Sequence, residues 1–101
     1  MSTSDDPIAQ LRLSHFETLV GGTIDIDFGH GWVTTEVISA TALRGETLRP
    51  DGGFSVMLRA PMAAPAQGVY PLRHPQCGVL ELLLCPRRLI GDRADFELVL
   101  N

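Results

Sequence analysis

The chain has 101 residues, a formal net charge of −4 and a sequence pI near 5.1, which fits one small acidic domain. Apolar residues make up 45% of it and charged residues 20%, a balance that excludes an intrinsically disordered chain. All eight basic residues are arginines, and they are scattered. Because nucleic-acid binding needs a concentrated positive face, the composition argues against a DNA or RNA partner.

The chain divides into a flexible N-terminal segment, residues 1–12, and a single β-barrel domain, residues 13–101. The N-terminus, Met1-Ser-Thr-Ser-Asp-Asp6, has neither the basic region nor the apolar stretch of a secretory signal. The apolar run from Val79 to Cys85 is too short to span a membrane. If that run is a strand, Cys77 and Cys85 lie roughly 26 Å apart, beyond disulfide reach. Free thiols are typical of a reducing compartment, so we predict a cytoplasmic protein with no membrane contact.

The first predicted element is a short helix. The motif Ser14-His15-Phe16-Glu17 has the Ser-x-x-Glu spacing of a capping box, in which the serine hydroxyl and the glutamate carboxylate each accept a backbone N–H. Gly21-Gly22 predicts its end, because glycine adopts the left-handed conformation at little cost. A helix of little more than one turn is expected to act as a plug or lid.

After Gly22 the apolar residues recur with a period of two, which is typical of strands with one buried face. A bulge is expected between Glu36 and Ser39, where the alternation changes parity, and Pro71 favours an edge position or a bulge. Loops are predicted around Pro86 and at Gly91-Asp92. The six predicted strands cover residues 23–28, 32–43, 54–59, 68–74, 79–85 and 94–100. Short links and no long helix predict an all-β fold: a small six-stranded antiparallel barrel or meander with one short N-terminal helix.

No metal, cofactor or catalytic site is predicted. Asp25 and Asp27 share a strand face and could hold a cation with His30, but a solvated face beside a turn histidine explains them better. His74 and Cys77 bracket a turn and could form a nucleophile–base pair. Because no orienting group or oxyanion donor is recognisable, a buried histidine bound to a loop carbonyl is the favoured interpretation.

Candidate partner contacts lie in two groups. Arg87, Arg88 and Arg93 form a basic cluster on the last hairpin, either a solvated turn or an arginine-lined contact for a partner. Trp32 and Tyr70 belong to the residue types that anchor interfaces, although the core of a small domain also needs them. Contact is expected through an apolar patch with an arginine rim, or through strand-edge pairing near Pro71 and the C-terminal strand.

The sequence resembles a family of small, uncharacterised bacterial all-β domains of unknown function. The resemblance covers nearly the whole chain, from Leu13-Ser14-His15-Phe16 to the closing strand that ends at Asn101. Its motifs include Gly52-Gly53-Phe54-Ser55, Gln67-Gly68-Val69-Tyr70 and Leu72-Arg73-His74-Pro75. Ala60 replaces the family's usual glycine, and Leu84-Cys85 replaces a valine-type ending. Members resemble accessory proteins found near phage-tail-collar-like, fibre-forming proteins.

These observations predict a non-enzymatic protein-interaction module, an accessory or assembly factor for a fibre or phage-tail-like bacterial protein. The expected partner is therefore a protein, with no nucleic acid, membrane or cofactor involved. One alternative is a barrel that binds a small ligand behind the Phe16–Val20 plug, although six strands leave little interior space. Another is a small hydrolase that uses His74 and Cys77. The sequence leaves the oligomeric state open.

Overall fold

The computed structural model describes residues 10–45, 52–62 and 66–100. One short helix precedes six strands, and the strands close into a barrel with the order β1-β2-β3-β6-β5-β4. Every neighbouring pair is antiparallel, which confirms the predicted fold class. The elements are α1 (Leu13–Glu17), β1 (Thr23–Asp27), β2 (Trp32–Ala42), β3 (Phe54–Ala60), β4 (Gly68–His74), β5 (Gly78–Ile90) and β6 (Arg93–Leu100).

Alternate side chains of each strand fill the barrel. In β3 and β6 the inward residues face one another in register, as in the Leu58–Phe96 and Val56–Leu98 pairs, and all four are fully buried. This arrangement follows from the pleat of a strand, which sends successive side chains to opposite faces. The alternation that is visible in the sequence therefore specifies which residues form the core.

The two long strands, β2 and β5, each pair with two different neighbours along their length. β2 pairs with β1 through its first residues and with β3 from Glu36 onward, and the predicted bulge lies between Val37 and Ser39. β5 pairs with β4 up to Leu84 and with β6 from Leu84 to Ile90, with a second irregularity between Pro86 and Arg88. Bulges bend strands and increase their twist, and this bending lets one strand serve two neighbours.

Two expectations about the end of the chain are wrong. The loop predicted around Pro86 is strand, because the register shift accommodates the proline within β5. The edge predicted at the C-terminal strand is absent, since β6 lies between β3 and β5. Pro71 does lie at a local edge, as predicted, because β4 pairs with β1 only through Leu72 and Arg73, and residues 68–71 pair with β5 alone among the described strands. Barrel closure removes the edge that a meander would leave at the C-terminal strand.

The helix α1 closes one end of the barrel. Phe16 is fully buried, and its ring centroid lies 5.7 Å from that of Phe54. The predicted capping box is wrong: the helix begins at Leu13, and the Arg12 N–H donates to His15 Nδ1 at 3.0 Å. The motif therefore lies inside the helix, one residue beyond its start. A glycine with φ of +88°, Gly21, follows in the turn after the helix.

Leu11 is buried against the barrel, although it falls within the segment predicted to be flexible. Residues 1–9 of that segment lie outside the described residues. Among the helices of the described residues, none has the length and apolar character needed to cross a membrane.

Candidate functional site

One arginine of the last hairpin, Arg88, belongs to a row of alternating charges on the outer face of the barrel. Strand register aligns Glu36 with Arg59, Arg59 with Asp95, and Asp95 with Arg88; we call these four residues the charge ladder. The Arg59 Nε donates to Asp95 Oδ1 at 2.7 Å, and Nη2 to Oδ2 at 3.2 Å. This hydrogen bonding lowers the pKa of Asp95 against the opposing effect of burial, and Arg88 lowers it further.

The three predicted arginine contacts have different surroundings. The Arg87 Nε donates to Glu97 Oε1 at 2.6 Å, and Arg88 lies opposite Asp95. Arg93 is exposed, and the described residues provide it with no ion-pair partner. It borders an open cleft that is also lined by Arg59, Thr34 and Glu36. Of the basic cluster predicted from the sequence, Arg87 is ion-paired, Arg88 lies opposite a carboxylate that Arg59 already binds, and Arg93 is exposed at the cleft.

The same hairpin exposes apolar side chains beside an unpaired strand edge. β5 extends past its last pairing with β4, so Cys85–Ile90, which we call the β5 edge, pairs with β6 alone among the described strands. Alternate residues of such a segment direct backbone N–H and C=O groups away from the sheet. Leu89 is 61% exposed and Ile90 44%. This arrangement can accept another strand.

Trp32 and Tyr70 occupy different environments. Trp32 is 41% exposed at the start of β2, and the Arg73 guanidinium carbon lies 4.1 Å from the centre of its ring. Tyr70 is half-buried, with its ring 5.3 Å from that of Phe28 and its hydroxyl donating to the Ala66 carbonyl at 2.6 Å. Trp32 therefore remains a surface residue, whereas Tyr70 helps to close the end of the barrel opposite α1.

Sequence reasoning missed an apolar patch on the outer surface of β4 and β5. We call it the β4–β5 face; it consists of three cross-strand pairs, Val69–Leu83, Pro71–Glu81 and Arg73–Val79. Val69 is 60% exposed and Val79 56%, while the alternate β5 residues Leu80, Leu82 and Leu84 are buried. The signal in the sequence was the nearly continuous apolar run of β5, a pattern that strands buried on both faces show.

His74 is a structural residue. Its Nδ1 accepts the backbone N–H groups of Gln76 and Cys77 at 3.0 and 3.2 Å. The ring proton must therefore be on Nε2, which donates to the His15 carbonyl at 2.8 Å. With both nitrogens bound to backbone groups, the ring cannot take a proton from the Cys77 thiol, whose pKa burial raises. This geometry does not form a nucleophile–base pair.

The acidic residues of β1 have structural partners as well. Asp27 Oδ1 accepts the backbone N–H groups of Gly29 and Gly31 at 2.7 and 3.3 Å, which shapes the turn before β2. Asp25 accepts the Thr34 hydroxyl at 3.1 Å and lies 3.7 Å from an Arg73 nitrogen. Within the described parts of the chain, no group of three or more histidine, cysteine, aspartate or glutamate residues is arranged to hold a metal ion.

The barrel interior is occupied by side chains. Phe16, Phe28, Phe54 and Phe96 are all buried, together with the inward aliphatic residues of every strand. Six strands enclose a space that such side chains fill, and a ligand cavity needs a wider barrel. The ligand-binding alternative therefore has no support from the packing of the described core.

The fold and its surface define a small closed β-barrel whose buried histidine is structural and whose most exposed large apolar residues, Val69, Val79 and Leu89, lie on β4 and β5. Residues 11–100 match the family described as a domain of unknown function, DUF6916, and the chain belongs to that family. No match was found among curated proteins or among solved structures.

Proposed function

We propose that this protein is a non-enzymatic interaction module that binds an extended segment of a partner protein along the β5 edge. The observation that carries the proposal is the segment Cys85–Ile90, which pairs with β6 alone among the described strands and ends in the exposed side chains of Leu89 and Ile90. A partner strand added there gains main-chain hydrogen bonds, and pockets or patches for its alternate side chains supply specificity. Arg93 adds a cation that can pair with a carboxylate of the partner.

The partner class that we propose is a fibre-forming or phage-tail-like bacterial protein, for which this chain serves as an accessory or assembly factor. The support is the resemblance of its motifs to small bacterial domains that accompany such proteins. We place the interaction in the cytoplasm, because Cys77 and Cys85 are both free thiols.

The test is cross-linked capture from the native host with three forms of the protein. Wild type and Val20→Glu are expected to recover the same fibre-forming or tail-like protein, whereas Leu89→Glu should lose it. Val20 is a matched control because it is a large apolar residue, 45% exposed, in the turn after α1. Circular dichroism confirms that each variant is folded.

The proposal fails if no partner is recovered under several lysis conditions, or if Leu89→Glu recovers the same protein as wild type. Three further variants show which arginine contributes most to partner binding: Arg87→Ala, Arg88→Ala and Arg93→Ala. Because Arg87 and Arg88 face carboxylates of the chain itself, Arg93→Ala should weaken capture most.

A further inference from the structure

We infer that the β4–β5 face binds a second copy of the chain and that the protein forms a two-fold symmetric dimer. This inference does not rest on the proposed function, because the β5 edge and the β4–β5 face use different residues. It starts from the exposure of Val69, Val79 and Leu83, which are 60%, 56% and 46% accessible on one continuous outer surface. Burial of this surface would remove three large apolar side chains from water.

The charges on the β4–β5 face indicate which molecule binds there. Glu81 lies among apolar neighbours, and the described residues provide no cation paired with it. Arg73, in the adjacent cross-strand pair, has one ion-pair contact, at 3.7 Å to Asp25, and its side chain is 48% exposed. The face therefore carries one unpaired anion and one weakly paired cation on neighbouring pairs.

A two-fold interface brings the same patch of both copies together, so that each contact occurs twice. On this face, a symmetry axis that passes between the two side chains sets Glu81 of one copy against Arg73 of the other, and the reverse pair forms by symmetry. The apolar side chains around these pairs exclude water. The face is therefore complementary to itself in charge and in polarity.

The Arg73–Trp32 contact prepares the face for this pairing. The guanidinium group lies over the Trp32 ring at 4.1 Å, which holds a long side chain in one place. Stacking of this kind limits the side-chain entropy that is lost on association. The cation is thereby already positioned when the second copy arrives.

Sedimentation equilibrium over a wide range of protein concentration tests the inference. The wild type should change from a mass of 11.0 kDa toward twice that value as the concentration rises. Glu81→Arg and Arg73→Glu should each raise the dissociation constant about tenfold, because each change creates two like-charge contacts. The double variant should restore the affinity, since it rebuilds both pairs with the signs exchanged.

Two controls separate this surface from other effects. Leu83→Glu should prevent association, whereas Glu17→Arg, the same charge change as Glu81→Arg on the exposed helix α1, should leave it unchanged. Leu89→Glu on the β5 edge should also dimerise normally, which keeps the result independent of partner binding. The inference is overturned if the wild type stays monomeric at every concentration, or if the double variant associates as weakly as either single variant.

Discussion

The imidazole of His74 joins the helix α1 to the turn between β4 and β5, because its Nε2 donates to the carbonyl of His15 at 2.8 Å. The two residues are far apart in sequence, and their rings lie edge to face with centroids 6.0 Å apart. The plug is thus fastened to the barrel by a buried polar contact as well as by the packing of Phe16.

Replacement of His74 should destabilise the fold strongly. His74→Ala leaves the His15 carbonyl and two backbone N–H groups without their partner and opens a cavity, so we expect a loss of about 3 kcal/mol in the free energy of unfolding. Urea denaturation measures this loss. His30→Ala is the control, because His30 is exposed in a turn, and it should change stability by less than about 0.5 kcal/mol. Equal effects of the two substitutions would contradict the structural role of His74.

The Arg59–Asp95 pair should make stability depend on pH in the acid range. Because the folded-state pKa of Asp95 lies below its ordinary value of 3.8, its contribution is present above that value and is lost as the pH falls through the lowered pKa. Asp95→Asn should therefore cost about 1 kcal/mol at neutral pH and progressively less in acid.

Denaturation of wild type and Asp95→Asn at several pH values checks this dependence. The control is Glu17→Gln, which removes the charge of an exposed carboxylate on α1. Its difference from wild type in the free energy of unfolding should not shrink in this way. A stability difference for Asp95→Asn that stays constant from neutral to acid pH would show that the ion pair is not its source.

The plug depends on the side chain of Phe16. Its ring is fully buried and lies 5.2 Å from His74, so Phe16→Ala should cost about 3–5 kcal/mol through lost burial and an unfilled cavity. Amide hydrogen exchange should accelerate first in α1. Val20→Ala, at an exposed position of the following turn, should have little effect. If the α1 amides of Phe16→Ala exchange as slowly as those of wild type, the helix is held by other contacts.

The β5–β6 hairpin depends on the conformation of Gly91. Its φ is +59° in a two-residue turn, and the space around it is open, so only backbone strain opposes a side chain there. Gly91→Val should destabilise the protein by about 1–2 kcal/mol, whereas Gly91→Asn should cost less because asparagine tolerates positive φ. Thermal denaturation of both variants measures the difference, and equal melting temperatures would contradict this account.

Much of this architecture could be predicted from the sequence because strand alternation is a local signal. Phe54, Val56 and Leu58 alternate with less buried residues at positions 55, 57 and 59, and β3 forms where that pattern predicts it. The bulge at Val37–Ser39 is visible for the same reason, since it changes the parity of the pattern. Bounds at Pro86 were wrong because the effect of a proline depends on the partner strand, which the local sequence does not specify.

The surface features were less predictable because they depend on which strands become neighbours. Arg88 and Asp95 belong to one hairpin, yet Asp95 also accepts two hydrogen bonds from Arg59, a contact that forms only because β3 and β6 are neighbours. The β4–β5 face likewise arises only when Val69 and Leu83 are paired. His74 was identified as a buried histidine bound to a carbonyl, but the identity of that carbonyl, in α1, required the closed barrel.

β2 joins β1 to β3, and β5 joins β4 to β6. Each of these two long strands therefore takes part in two pairings at once. The two pairings of β2 meet at Glu36 and those of β5 meet at Leu84, so each long strand carries its two neighbours on one continuous segment of the closed barrel. The protein is therefore expected to unfold in one cooperative step. The most protected amides of β1, β2 and β3 should then exchange at the same rate as those of β4, β5 and β6.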